Sequence, residues 1–268
     1  IRMASRITGR NEVAVVRAID PERLSVIRNY CEPVEMASHI KVRLIDYDPA
    51  TGLLDLDDLR ANIGSETAAV YFETPSYFGV IEQQGAEIAA LAHAVGAEVI
   101  VGVDAISLGV LSSPSDFGAD IVVGTTQPLG VHMNSGGGVS GFIASRDYMW
   151  AIANAVYMAM MGPQGFEDVG KIILQRAHYA AKLLADIPGV RVTFPSGFFK
   201  EFIVNFDDTG LRVADINKRL LALEIFGGKD LSHDFPELGA SALYCVTEIH
   251  TQADLERLAN ALKEVIAQ

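Results

Sequence analysis

Between Glu12 and Val103 short apolar runs of strand character alternate with amphipathic segments of helical period, and this alternation limits the fold more than any other feature of the chain. Glu12–Ala18 (EVAVVRA) predicts a short buried strand, and Pro21 opens a helix through about Tyr30. His39–Tyr47 is strand-like, with Ile40, Val42 and Leu44 alternating, and Leu54–Ala61 is a short helix after the Asp48–Gly52 turn. Ala68–Phe72, Gln83–Val95 and Glu98–Val103 continue the series as strand, helix and strand. Strands separated by helices pair in parallel, and the helices then cover both faces of the sheet. The expected class is α/β.

After Asp104 the pattern changes. Asp120–Val123 and Val139–Ala144 predict two more strands joined by a glycine-rich loop, and a helix follows from Ser145 to Met161. The Gly162–Gly165 break separates it from a second helix, Phe166–Ile187. Beyond lie strand-like Val190–Thr193 and Phe202–Phe206, a helix at Val213–Leu221, a short Leu223–Phe226 segment, a strand at Ala242–Val246 and a last helix at Gln252–Ile266. That order predicts a small α+β layer. The expected domains are therefore residues 1–163, a large α/β domain, and residues 164–268, a small C-terminal one.

Half of the 268 residues are apolar, enough for real cores, and the net charge of −13 argues against nucleic-acid or anionic-membrane partners. The longest apolar run, Trp150–Met161, is shorter than the about 20 residues that cross a bilayer. Cys31 and Cys245 stand far apart and are expected to be buried fillers in a reducing compartment, the cytoplasm. The opening IRMASRITGRN has the character of a helix tail, so residues upstream of Ile1 are expected. The six histidines show no ligand spacing, so no metal site is expected, and neither G-x-S-x-G nor a P-loop occurs.

Chemistry concentrates in two stretches. Glu73-Thr-Pro-Ser-Tyr-Phe-Gly79 follows a strand, at the edge where open α/β sheets bind ligands. Thr74, Ser76 and Tyr77 either face a pocket there or belong to a turn made by Pro75 and Gly79, and the residues alone favour neither. Val99–Ala144 has an Asp at a strand end, a second strand and a glycine-rich return, the layout of a pyridoxal-phosphate pocket. Such a pocket needs an acid for the pyridinium proton and a lysine for the Schiff base. Asp104 supplies the acid or simply caps a turn, but Gly124-Thr-Thr-Gln-Pro128 stands where the lysine belongs. Gly136, Gly138 and Gly141 spell G-x-G-x-x-G, yet they lead into a strand rather than a helix, which argues against a dinucleotide loop.

The stretches AAVYFETPSYFGVIE (Ala68–Glu82), VDAISLGVLSSPSDFGADIVVGTTQPLG (Val103–Gly130), GGGVSGFIASRDYM (Gly136–Met149), QRAHYAAKLLADIPGV (Gln175–Val190) and PELGASALYCVTEIHTQADLERL (Pro236–Leu258) resemble the P-protein of the glycine cleavage system, in its subunit 1 or alpha type. The resemblance covers nearly the whole chain. It implies the fold type I of pyridoxal-phosphate-dependent transferases, with a mostly parallel large-domain sheet and a small C-terminal domain. It also implies a complex that decarboxylates glycine and passes the aminomethyl group to the lipoamide of H-protein. In the two-subunit form the catalytic lysine belongs to a beta-type partner, with His-Lys where this chain has Gln127-Pro128, so pyridoxal phosphate is expected on that partner. No catalytic residue is expected here, and Asp104, Thr74, Ser76, Gln127 and His132 are expected to line a vestigial cofactor pocket. The family's N-terminal region before Ile1 and a segment between Trp150 and Ala151 have no counterpart in this sequence. The other readings are an independent pyridoxal enzyme related to aminotransferases or cysteine desulfurases, which would need a lysine near residues 124–130, and a purely structural fragment.

Overall fold

The computed structural model describes residues 1–33, 39–130, 141–144 and 152–267. The chain divides into two compact units, residues 1–77 with 81–170 and residues 78–80 with 171–268.

The first unit contains α1 (Arg2–Thr8), β1 (Glu12–Val16), α2 (Pro21–Cys31), β2 (Lys41–Ile45), α3 (Leu56–Asn62), β3 (Thr67–Glu73), α4 (Gly85–Ala94), β4 (Glu98–Val103), β5 (Ile121–Thr125) and β6 (Gly141–Ala144). Capping sets the helix starts. The Asp20 carboxylate accepts the Glu22 N–H at 3.2 Å and Pro21 occupies the first turn of α2. Leu54 lies outside α3 because Asp55 is the cap, accepting from the N–H groups of Asp57 and Asp58 at 2.9 and 3.0 Å.

The strands form one sheet in the order β2-β1-β3-β4-β5-β6, parallel as expected except for β6, which runs antiparallel to β5 along the edge. Val13, Val15, Ala69, Tyr71, Ile100 and Ile121 share one face and a core with Ala4 of α1 and Cys31 of α2. Their strand neighbours Ala14, Val16, Val70, Phe72, Val99 and Val101 are buried on the opposite face. There Phe72 meets the Phe117 ring at 6.3 Å, and Gly85, opening α4, lies so close that a Cβ would be 2.8 Å from that ring.

Helix α5 (Ile152–Ala185) carries the expected break as a kink, with Gly162 at φ 61, ψ 175 and Pro163 next to it. The first unit ends within this helix, after Gly170. The predicted strand residues 139 and 140 and helix residues 145–151 lie outside the described residues.

The second unit holds β7 (Arg191–Val192), β8 (Glu201–Asn205), α6 (Val213–Ala222), β9 (Lys229–Asp230), β10 (Ser241–Cys245) and α7 (Gln252–Ile266), with an antiparallel sheet ordered β7-β8-β10-β9. Phe202, Val204 and Ala242 of the sheet pack with Leu220 of α6 and Leu255 and Leu262 of α7. The expected Leu223–Phe226 segment is a loop, and the edge strand follows it at β9. Cys31 is buried, but Cys245 is exposed, because it ends β10 beyond the residues that β9 pairs. Gly79, at φ +81, has the Glu201 carbonyl oxygen 1.8 Å from where a Cβ would stand, so the turn there admits only glycine. Among the described residues no helix is long and apolar enough to cross a membrane, and no cluster of metal-ligating side chains occurs.

Candidate functional site at the carboxyl edge of the sheet

Strand β2 lies on one side of β1 and β3 on the other, so the chain reverses its direction of winding between β1 and β3. Open α/β sheets place ligands outside the carboxyl ends of strands near such a point. The loops there touch, since the Tyr77 N–H donates to the Ala18 carbonyl at 3.2 Å and the Thr74 N–H to the Gly102 carbonyl at 2.9 Å.

The strongest electrostatic feature of this edge is Glu73, the last residue of β3. It is buried, and its Oε1 accepts from the Tyr71 hydroxyl at 2.7 Å and from the half-exposed Arg23 guanidinium of α2. Gly102 of β4 makes room for the cluster, because a Cβ would stand 2.9 Å from the Tyr71 hydroxyl and 3.0 Å from Glu73 Cγ. Burial, reinforced by the Glu73 carboxylate, pushes the Tyr71 pKa well above the usual tyrosine value. Burial works against the Arg23 charge, but Glu73, with smaller help from Tyr71 and Asp20, outweighs it and raises that pKa. The sequence signal for this cluster is a charged residue ending a strand whose other residues are mostly apolar, since an ionised group is rarely buried without a partner.

The structure brings four of the five predicted site residues to this edge. Asp104 follows β4, half-buried, and its Oδ1 accepts the Ile106 N–H at 2.9 Å while the Ser107 hydroxyl donates to its carbonyl at 2.7 Å. This is an Asx turn opening the short 3₁₀ turn at Ser107–Gly109. Thr74 is buried, and its hydroxyl accepts the Glu82 N–H at 3.2 Å. Ser76 differs from both: its hydroxyl oxygen is buried and has no hydrogen-bond partner among the described residues. Gln127 is exposed, in a turn after β5 where its N–H donates to Thr125 Oγ1 at 3.2 Å. His132, like Gly136 and Gly138, lies outside the described residues. A cavity of about 380 Å³ opens in this unit, lined by Thr74, Glu82, Ser107 and Phe117 among others.

These residues do not fit a covalently held pyridoxal phosphate. The sequence has no lysine between residues 42 and 170. The one lysine of the first unit, Lys41, begins β2 at the opposite, amino edge of the sheet, paired with Glu12 at 3.4 Å. At the carboxyl edge Gly124 is also tightly enclosed, with the Phe142 ring 2.5 Å and the Val103 carbonyl 2.7 Å from an added Cβ.

The mostly parallel sheet with one antiparallel edge strand and the small α+β unit have the architecture of fold type I of the pyridoxal-phosphate-dependent enzymes. Two solved structures of low sequence identity show the same fold: the sphingosine-1-phosphate lyase of Burkholderia pseudomallei (16% identical, TM-score 0.73, covering 98% of this chain and 65% of that one) and a NifS-like protein of Rickettsia africae (15%, 0.72, 96% and 76%). Within that fold the chain belongs to the glycine cleavage system P-protein family, whose sequence profile matches residues 1–150. It is similar to a crystal structure of glycine decarboxylase (P-protein) of the glycine cleavage system in inhibitor-bound form, 28% identical with a TM-score of 0.84 over 98% of this chain and 67% of that one.

Curated relatives named probable glycine dehydrogenase (decarboxylating) subunit 1 include one from Staphylothermus marinus, 33% identical over 92% of this chain, and one from Desulfitobacterium hafniense, 31% identical over 98%. The chain spans 62% and 67% of their lengths. An alignment with the Saccharolobus islandicus relative runs over 317 positions against the 268 residues present, so that relative carries residues with no counterpart here.

Proposed function

We propose that this chain is the subunit of a glycine-decarboxylating P-protein that carries no covalent cofactor, and that it works by completing a complex rather than by reacting itself. The observation that supports this reading is the distribution of lysine: a carboxyl edge with an acid and hydroxyls in place, and the first unit's one lysine tied to Glu12 at the far edge. The similarity to proteins named subunit 1 supports a partner of beta type, which would supply the lysine and hold pyridoxal phosphate. The lipoylated H-protein would take the aminomethyl group from the complex.

In this reading Asp104, Thr74 and Ser76 are remnants of a cofactor pocket, two of them reused to hold their own loops. The Ser76 hydroxyl is buried without a partner among the described residues, and a buried hydroxyl left without a bond costs about 1–3 kcal/mol, which supports a group outside those residues completing it. The edge strand β6, with Ile143 half exposed, supports contact with the partner on this side of the sheet.

Co-expression with a lysine-bearing homologue tests the proposal. Release of CO2 from glycine in the presence of lipoylated H-protein is expected only from the pair. Comparable release by this chain alone would refute it.

A further inference from the structure

The second unit carries a groove for which the carboxyl-edge reading has no use. The loop after α6, residues 223–228, stands off α7 and leaves two cavities of about 470 and 540 Å³ that share Ile225 and Arg257 as walls. Along α7 the groove follows Ala253, Arg257, Asn260 and Glu264. This stripe at i, i+4, i+7 and i+11 runs about 17 Å along one face of a helix.

The rim is apolar and fixed. Phe226 is 90% exposed, Leu223 36%, and Ile249, next to the cavity-lining His250, 75%. Grouped exposure of large apolar side chains marks an interaction surface, where single ones would not. Phe226 stands at the mouth of the cavity of about 470 Å³ that it helps line, and the loop beside it is pinned. An added Cβ on Gly227 would stand 1.9 Å from Asn217 Oδ1, and Asn217 Nδ2 donates to the Gly228 carbonyl at 2.8 Å.

The rim is also anionic. Glu224, Asp254, Glu256 and Glu264 line the two cavities against one arginine, Arg257. That arginine is engaged at the end of α6, donating to the Leu223 carbonyl at 2.9 Å. Hydrogen bonds hold two of the acids in their charged form, with the Gln252 amide and the Tyr179 hydroxyl on Glu256 and the Thr251 cap on Asp254. A second copy of the chain would set the same acids against these, in a molecule of net charge −13, so the charge pattern selects a partner of opposite sign.

We propose that this groove docks an amphipathic helix of another protein, with apolar side chains seated against Phe226 and in the cavity floored by Phe202, and with lysines or arginines over Glu224 and Glu264. The probe is a synthetic amphipathic helical peptide whose leucine stripe is flanked by lysines, compared with the same peptide carrying glutamates in their place, each titrated into the isotope-labelled full chain. The lysine peptide is expected to shift the resonances of residues 223–228 and of the groove face of α7. It should bind at least about tenfold more tightly than the glutamate peptide, lose affinity with added salt, and weaken about tenfold in Phe226→Ala at unchanged Tm. Equal affinity for the two peptides, shifts confined to other surfaces, or no binding would overturn the proposal. So would a concentration-dependent dimer abolished by Phe226→Ala, which would make a second copy the occupant.

Discussion

At the amino edge of the large sheet Glu12 sits between Arg43 at 2.8 Å and Lys41 at 3.4 Å, and Lys41 is well exposed. At the carboxyl edge Glu73 is buried, held by Tyr71 from within its own strand and by Arg23 from a helix fifty residues earlier. The first cluster ties the starts of β1 and β2 together through a largely covered carboxylate and two cations that keep contact with water. The second fills the region near which an α/β sheet offers a binding site, and it fills it with groups already satisfied by one another. The difference separates the two roles a polar cluster can take: one is replaceable stitching, while the other sets what the edge can still bind. It also places the first unit's lysine where it cannot serve the carboxyl edge.

The largest effect is expected at Glu73. Glu73→Ala orphans the Tyr71 hydroxyl and strips Arg23 of its partner, and a loss of about 2–3 kcal/mol is expected in urea unfolding. That is less than a fully buried pair would lose, because half of Arg23 remains in water. Glu12→Ala should cost only about 1 kcal/mol by the same measurement, since it orphans no buried hydroxyl of the kind Tyr71 carries and leaves Lys41 and Arg43 in contact with water. A reversal of this order would show that the amino edge is the more tightly coupled one.

The two edges should also respond to opposite extremes of pH. The Arg43 hydrogen bond, with further help from Lys41 and against some burial, lowers the Glu12 pKa in the folded state. Its contribution is present above the ordinary glutamate value and is lost as the pH falls from there through the lower folded value. Tyr71 is shifted upward, first by burial and then by Glu73. Its contribution is complete below the ordinary tyrosine value and declines as the pH rises beyond it. Thermal unfolding scans should therefore show the acid-side loss diminished in Glu12→Ala and the alkaline-side loss diminished in Tyr71→Phe. An unchanged alkaline limb in Tyr71→Phe would contradict the assignment.

The smallest effect is expected at Asp104. An asparagine there still offers an oxygen to the Ile106 N–H, so Asp104→Asn should change stability by less than about 0.5 kcal/mol and, in the proposed complex with a beta-type subunit, leave glycine decarboxylation nearly unchanged. A hundredfold loss of activity with assembly intact would show that this pocket still takes part in the chemistry.

Much of this architecture was legible from period and punctuation. Alternating strand and helix signals gave the parallel sheet, and Gly162-Pro163 marked a kink that is present as a non-helical glycine. The strand-end position of Asp104 followed from the apolar run before it. What stayed hidden depends on contacts distant in sequence. Nothing local joins Arg23 to Glu73, and nothing in Cys245 distinguishes a thiol at a strand end from a core filler. The short Leu223–Phe226 segment carried no signal of its type, and the chain crosses there as a loop, with the edge pairing to β10 made by Lys229 and Asp230. At the candidate site Asp104 and Thr74 fell at the predicted edge, while the commitment of their polar atoms to their own loops required the folded backbone.

The most direct test of the account is to mix the purified chain with pyridoxal phosphate, reduce with borohydride and map the modified peptides. The account predicts no lysine labelled to stoichiometry, with any incorporation scattered and weak. A single lysine modified to one equivalent would show that the chain holds the cofactor covalently and would contradict the proposal that it is the subunit without the chemistry.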